Sequence, residues 1–175
     1  MATNLNLLME YVKNGDEDAF EEIYCSFKDR VFYTILAILK DYHLSEDIMQ
    51  DVFIRIRQNI QSYIKGTNAA AWIMTIARNT ALNEYKRRLK ETPVDISQSE
   101  YLFDSYTIDN KGTPFLNEML KTLDVREREI VTLYVIGGFK HHEIAKIVSK
   151  PLGTVLWLYN RAIKKLRNEL GKEEG

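Results

Sequence analysis

Apolar residues recur along this chain at three- and four-residue spacing, the signature of helices with one buried face. Residues 5–13 form a short amphipathic segment that Asn14-Gly15 stops, and Asp16 is placed to cap the next helix. Over residues 17–28, Phe20, Ile23, Tyr24 and Phe27 fall on one side. Residues 30–40 are apolar on most sides and read as the core helix of a first module, broken by Asp41-Tyr42-His43. A fourth helix is expected at 45–61 with Ile48, Val52 and Ile56 inward, then a loop at 63–68 containing Gly66, then a helix through 72–88. Beyond residue 112 the pattern resumes with a helix pair at 115–123 and 125–136. A short helix at 140–148, a turn at 149–151 and a long helix at 153–170 follow. Short helix, tight turn and longer amphipathic helix make a helix-turn-helix. The expectation is an all-α chain of two small helical domains.

Between them, residues 91–112 have no helical stripe and carry loop chemistry: Thr92-Pro93, Ser97-Gln98-Ser99, Lys111-Gly112. The stretch holds five acidic residues against one basic residue and reads as a flexible acidic linker. The boundaries are therefore 1–90, 91–112 and 113–175. The net charge of −1 hides this pattern, because residues 1–90 are neutral and residues 113–175 carry a net +3.

Two helices have outward faces unlike an ordinary solvated surface. In 72–88, Ile73, Ile76, Ala77, Ala81 and Tyr85 gather on one side. Opposite them lie Trp72, Thr75, Asn79, Asn83 and Lys86, running into Arg87-Arg88. Rings that stack, amides that read base edges and cations that hold phosphate suit a nucleic-acid-binding helix. The loop at 60–68 with Trp72 is a candidate pocket for an unstacked base. In the last helix Val155, Tyr159, Ala162, Leu166 and Leu170 form the packing side. The other side shows Thr154, Trp157, Asn160, Arg161, Lys164, Lys165 and Asn168, which suits major-groove insertion.

The remaining chemistry excludes more than it adds. Cys25 is alone, so no intrachain disulfide is expected. It reads as a packed thiol in a reducing compartment. No basic segment followed by an apolar core opens the chain, so no secretory signal is expected. The longest apolar run, residues 31–39, is about half the ~18–20 residues a span requires. A soluble cytoplasmic protein follows. His141 and His142 point about 100° apart on a helix and read as surface residues rather than metal ligands. No catalytic constellation, cofactor motif or metal site emerges, and a non-enzymatic protein without a small-molecule substrate is expected.

These pieces, in this order, resemble the sigma-70 family of bacterial RNA polymerase sigma factors, in the small two-domain group called extracytoplasmic-function (ECF) sigma factors. Four stretches carry the resemblance. They are Asn14-Gly15-Asp16 with Ala19-Phe20 and Ile23-Tyr24; residues 45–53, SEDIMQDVF; residues 72–88; and residues 137–167, especially Glu143-Ile144-Ala145 and Gly153-Thr154-Val155. The resemblance implies that the helix with Glu46, Asp47, Gln50, Asp51 and Phe53 docks on core RNA polymerase. It implies that Trp72, Thr75, Asn79, Asn83, Lys86 and Arg87 engage the −10 promoter element and help open it. Thr154, Leu156, Trp157, Asn160, Arg161 and Lys164 would face the −35 element. Promoter DNA and core polymerase are the implied partners, together with an anti-sigma factor of the kind, often membrane-bound, that commonly holds such factors. The chain departs from the family pattern at Asn83, where aspartate is usual, at Arg57, where tryptophan is common, and at the apolar triplet Leu156-Trp157-Leu158. Two rival readings are a stand-alone helix-turn-helix regulator with an N-terminal sensing module and an all-helical interaction adaptor.

Overall fold

The structure is a computed structural model that describes residues 4–91 and 114–173. The expected linker lies, apart from Glu91, outside the described residues. Among the described residues the elements are all helical.

The first half is built from four helices. Helix α1 (Leu5–Lys13) ends at Asn14, and Gly15 takes the left-handed φ of +87° that turns the chain. Asp16 then caps α2 (Glu17–Leu39), its Oδ1 accepting the Ala19 N–H at 3.0 Å. The two helices expected at 17–28 and 30–40 are one. Ile23, Phe27, Val31, Ile35 and Ile38 form an unbroken buried stripe at helical spacing, and neither proline nor glycine interrupts it. The break comes at Lys40, whose φ of +55° is left-handed. Asp41 restarts the chain as the cap of α3 (Tyr42–Asn59), Oδ1 accepting the Leu44 N–H at 3.0 Å. A 3-10 turn, Ile60–Ser62, and a loop lead into α4 (Ala69–Glu91), where Asn68 Oδ1 accepts the Ala71 N–H at 3.0 Å.

The second half holds α5 (Pro114–Thr122), α6 (Val125–Val135), α7 (His141–Ile147) and α8 (Leu152–Glu173). Asp124 and Glu127 close a capping box at the start of α6, each side chain accepting the other's backbone N–H at 3.0 Å. Gly137 admits no side chain, because a Cβ there would stand 2.5 Å from the Leu133 carbonyl oxygen and 2.8 Å from the Phe139 ring. Helices α7 and α8, joined through Ser149 (φ +53°), make the expected helix-turn-helix.

The two halves pack on each other, α6 against α2 and α7 against α4. Leu36 of α2 is 1% exposed and belongs to an apolar cluster otherwise formed by second-half residues such as Met119, Leu120, Val131 and Leu166. A larger cluster likewise joins Met9, Ile23, Ile56 and Met74 to Ile130, Leu133, Ile144 and Ile147. This explains why residues 31–39 are apolar all round: one side serves the first half, the other the second.

Candidate nucleic-acid interface

Helix α4 is held by its apolar side, with Ile73, Met74, Ala77 and Ala81 fully buried, so its polar side faces out. There it meets the C-terminal part of α3. Between them lies a cleft of about 300 Å³ lined by Arg55, Asn59, Ser62, Trp72, Ile76, Asn79, Thr80 and Asn83. Trp72 is half-buried and leans edge-on against Tyr63, ring centroids 5.7 Å apart. Tyr63 is itself locked, its hydroxyl donating to Asn6 Oδ1 at 2.7 Å and its carbonyl accepting from Lys13 Nζ at 2.5 Å. The indole therefore rests on a fixed base, as a stacking platform requires. Asn79 and Asn83 are exposed, with amides free to face a ligand.

Of the sequence-expected residues on this face, the cleft gathers Trp72, Asn79 and Asn83. Thr75 does not line it, and its hydroxyl donates back to the Ala71 carbonyl at 2.7 Å. Lys86 and Arg87 lie further along α4, exposed. Arg87 is held by Glu84 at 2.6 Å and Glu91 at 2.8 Å. The Glu84 hydrogen bond is the leading cause that pushes its pKa further up, so its charge is constant but partly spent within the helix. Arg55, Asn59 and Ser62, the rear wall, were not singled out from the sequence. Their signal is a polar stripe at four- and three-residue spacing that flanks Ile48, Val52 and Ile56 on the helix.

On α3, Asp47, Gln50 and Asp51 are exposed, and Glu46 is half-buried, 3.6 Å from His43 Nδ1. Phe53 requires a correction. It is 4% exposed, its ring edge-on to Tyr24 at 4.7 Å and Phe20 at 6.5 Å. It pins α3 to α2 and is not an outward anchor. The exposed apolar residue of this helix is its neighbour Ile54.

On α8, Val155, Leu158, Ala162 and Leu166 are buried, which turns Thr154, Leu156, Trp157, Asn160 and Lys164 to the exterior. Trp157 is 57% exposed, so the indole is not a core residue. Arg161 departs from the expectation. Its guanidinium bonds Glu127 and Asp124 of α6 and lies 4.7 Å from the Trp157 ring centroid. Glu127 is fully buried and also takes Lys165 Nζ at 2.8 Å. A buried carboxylate demands such counter-charges. The Glu127 hydrogen bond leads the causes that raise the Arg161 pKa. Arg161 and Lys165 therefore tie α8 to α6, and Arg161 presents the indole by lying on it.

Two smaller expectations also change. Cys25 is exposed, not packed, because it lies between the inward positions Ile23 and Phe27 on the outer side of α2. His142 is exposed as expected. His141 instead stacks on Tyr134 with centroids 4.6 Å apart and meets Tyr159 edge-on at 4.7 Å. Among the described residues no group of three or more His, Cys, Asp or Glu is arranged to hold a metal ion, and no helix is long and apolar enough to cross a membrane.

Two family profiles match the chain: Sigma-70 region 2 over residues 23–91 and Sigma-70, region 4 over residues 119–168. The chain is similar to the ECF RNA polymerase sigma factor SigK of Mycobacterium bovis, 23% identical over 96% of this chain and 94% of the relative. It is similar also to the ECF RNA polymerase sigma factor SigW of Bacillus subtilis, 25% identical over 93% of this chain and 94% of that one. Its fold resembles that of CnrH in complex with the cytosolic domain of CnrY, with a TM-score of 0.71, 18% identity, and 95% and 97% of the two chains covered. It also resembles the sigma factor RpoE in complex with the anti-sigma factor NepR from Bartonella quintana, with a TM-score of 0.70, 21% identity, and 87% and 96% covered. The first profile covers α4 and the cleft, and the second covers α7 and α8 through residue 168. The chain belongs to the sigma-70 family as an ECF sigma factor, a transcription initiation factor that directs RNA polymerase to promoters.

Proposed function

We propose that the cleft between α3 and α4 receives an unstacked base of the −10 element, and that this capture is the chain's contribution to promoter opening. The observation that carries the reading is the convergence of Trp72, Asn79, Asn83, Arg55 and Asn59 on one cleft. The indole supplies a stacking surface, the amides supply donors and acceptors for a base edge, and Arg55 supplies charge for phosphate. Lys86 extends the cationic track. The exposed side of α3, with Glu46, Asp47, Gln50, Asp51 and now Ile54 as its apolar member, docks on core polymerase through complementary charge. Residues 1–90 are thus the docking and −10 domain, 91–112 the linker, and 113–175 the −35 domain.

In the −35 domain α8 lies in the major groove. Thr154, Asn160 and Trp157 face base edges, with the indole and Leu156 against thymine methyl groups, and Lys164 holds phosphate. Arg161 orients Trp157. The protein works in the cytoplasm, without catalytic residues of its own. An anti-sigma factor is its regulatory partner, a reading supported by the fold shared with RpoE in its complex with NepR. A stand-alone regulator would need no polymerase-docking side on α3 and no cleft beside α4.

Permanganate footprinting of promoter complexes tests the cleft. Trp72→Ala and Asn79→Ala should leave closed complexes intact while reducing the reactivity of melted thymines. Normal reactivity in both variants would remove the cleft from opening.

A further inference from the structure

Helix α1 contributes no residue to the lining of the cleft, yet it grips the segment on which the cleft depends. Its apolar side, with Leu8, Met9 and Val12 buried, packs it into the core of the first half. The neighbouring polar side reaches residues 61–63. Gln61 Nε2 donates to the Lys13 carbonyl at 2.9 Å. Lys13 Nζ donates to the Tyr63 carbonyl at 2.5 Å and stands 5.5 Å from the centroid of the Tyr63 ring. Asn6 Oδ1 accepts the Tyr63 hydroxyl at 2.7 Å. Each bond joins residues 48 or more positions apart, so none is a by-product of local chain geometry.

Tyr63 is the point through which these contacts reach the site. It is 1% exposed, and its ring meets Trp72 edge-on. Its phenol oxygen also lies 3.2 Å from the Thr67 carbonyl oxygen, at the far end of the loop. The next carbonyl, that of Ile64, accepts the Thr67 N–H at 3.2 Å and the Thr67 hydroxyl at 2.7 Å. These bonds close a turn in which Gly66 takes a left-handed φ of +87°. Asn68 then caps α4, whose fourth residue is Trp72. A series of fixed groups therefore runs from α1 through Tyr63 and the loop to the indole. Apolar burial is non-directional and does not by itself orient the Tyr63 ring. The bonds to its hydroxyl and its carbonyl do.

We propose that Asn6 and Lys13 are positioning residues for promoter opening: α1 holds Tyr63, and through it the Trp72 indole, in the attitude in which a base stacks. The proposal rests on the cleft reading above. The physical gain is preorganisation. An indole already fixed loses little freedom when a base arrives, whereas an indole ordered only at that moment subtracts the ordering cost from capture. Neither side chain is needed to keep α1 in place, because its apolar side does that. When Asn6 is shortened, the Thr67 carbonyl stays beside the phenol, so no buried hydroxyl is orphaned. Slower opening with the fold intact is the expected signature.

In the full-length chain, Asn6→Ala and Lys13→Met should slow opening by roughly three- to tenfold, the cost of ordering one freed side chain, with closed-complex affinity and thermal midpoint unchanged. Asn6→Asp and Lys13→Arg, which keep the acceptor and the cation, should restore the rate. A spectroscopic readout separates positioning from mere support. The chain has two tryptophans, so Trp157→Phe leaves Trp72 as the single indole. In that background its time-resolved fluorescence anisotropy should report a fixed ring, and an added nanosecond motion once Asn6→Ala or Lys13→Met is introduced. Unchanged anisotropy in both variants overturns the proposal. Normal opening in both, while Trp72→Ala is impaired, overturns it and leaves the cleft reading standing. Slowed opening that neither Asn6→Asp nor Lys13→Arg restores assigns the loss to folding and also overturns it. Normal opening by Trp72→Ala defeats the cleft reading, and the role of α1 in opening falls with it.

Discussion

The outward sides of α4 and α8 use the same residue types in opposite shapes. On α4, tryptophan and asparagines look into a cleft because α3 stands beside them with Arg55 and Asn59. On α8, Thr154, Leu156, Trp157, Asn160 and Lys164 lie on an open outer side of the helix. A concave site encloses one base at a time, whereas a convex helix face fits a groove. The supporting chemistry differs too. Trp72 leans on Tyr63, whose hydroxyl is bonded to Asn6, so its platform is built from the first half's own core. Trp157 has no such backing and is presented by an arginine anchored on a buried glutamate. Similar lists of amides, rings and cations therefore take different shapes, and the neighbouring element decides which.

Substitutions on the two sides should separate those tasks. The largest effect is expected on α4. Trp72→Ala removes a stacking partner worth about 1–3 kcal/mol per base, so open-complex formation should fall by roughly 10- to 100-fold. Stopped-flow or permanganate kinetics measure it, and a loss confined to closed-complex affinity would erase the contrast with α8. Asp51→Lys lies on neither of these two faces. Reversing an exposed charge on α3 should weaken core binding by on the order of tenfold with helicity unchanged, as a titration with labelled core would show.

Smaller effects are expected on α8. Trp157→Ala should relax −35 preference by about 1 kcal/mol per affected position, with little change in the dependence of binding on salt. Lys164→Ala should weaken binding to all sequences alike and reduce the salt slope by about one. Arg161→Ala should first lower the thermal midpoint, because it strips a counter-charge from buried Glu127, and then mimic Trp157→Ala in sequence preference. Binding to randomised −35 elements at several salt concentrations distinguishes the three. Arg161→Ala with a flattened salt slope and unchanged stability would return that residue to direct phosphate contact.

The elements and the two polar helix faces were legible because they depend on local spacing. Asn14-Gly15 and Asp16 mark a helix end and start by their own chemistry, and the structure places both as expected. The break expected near residue 29 failed because the buried stripe from Ile23 to Ile38 never leaves helical register. What spacing does not carry is which face meets which. Phe53 alternates with its neighbours as a docking anchor would, but Phe20 and Tyr24 claim it. Arg161 sits at an outward angle, but buried Glu127 on another helix draws it in. The rear wall of the cleft was missed because it belongs to α3, read for its acidic side, and to the 3-10 turn that follows it. The packing of the halves left one trace, the all-round apolarity of residues 31–39, which is more than one module needs.

In vitro transcription with core polymerase tests the central claim most directly. A library of genomic fragments is transcribed by core alone, by the chain alone and by both together. The account predicts discrete, promoter-specific transcripts only from the combination, with Trp72→Ala and Trp157→Ala each reducing them. Tight, specific promoter binding or melting by the chain alone, with no new transcripts when core is added, would contradict it.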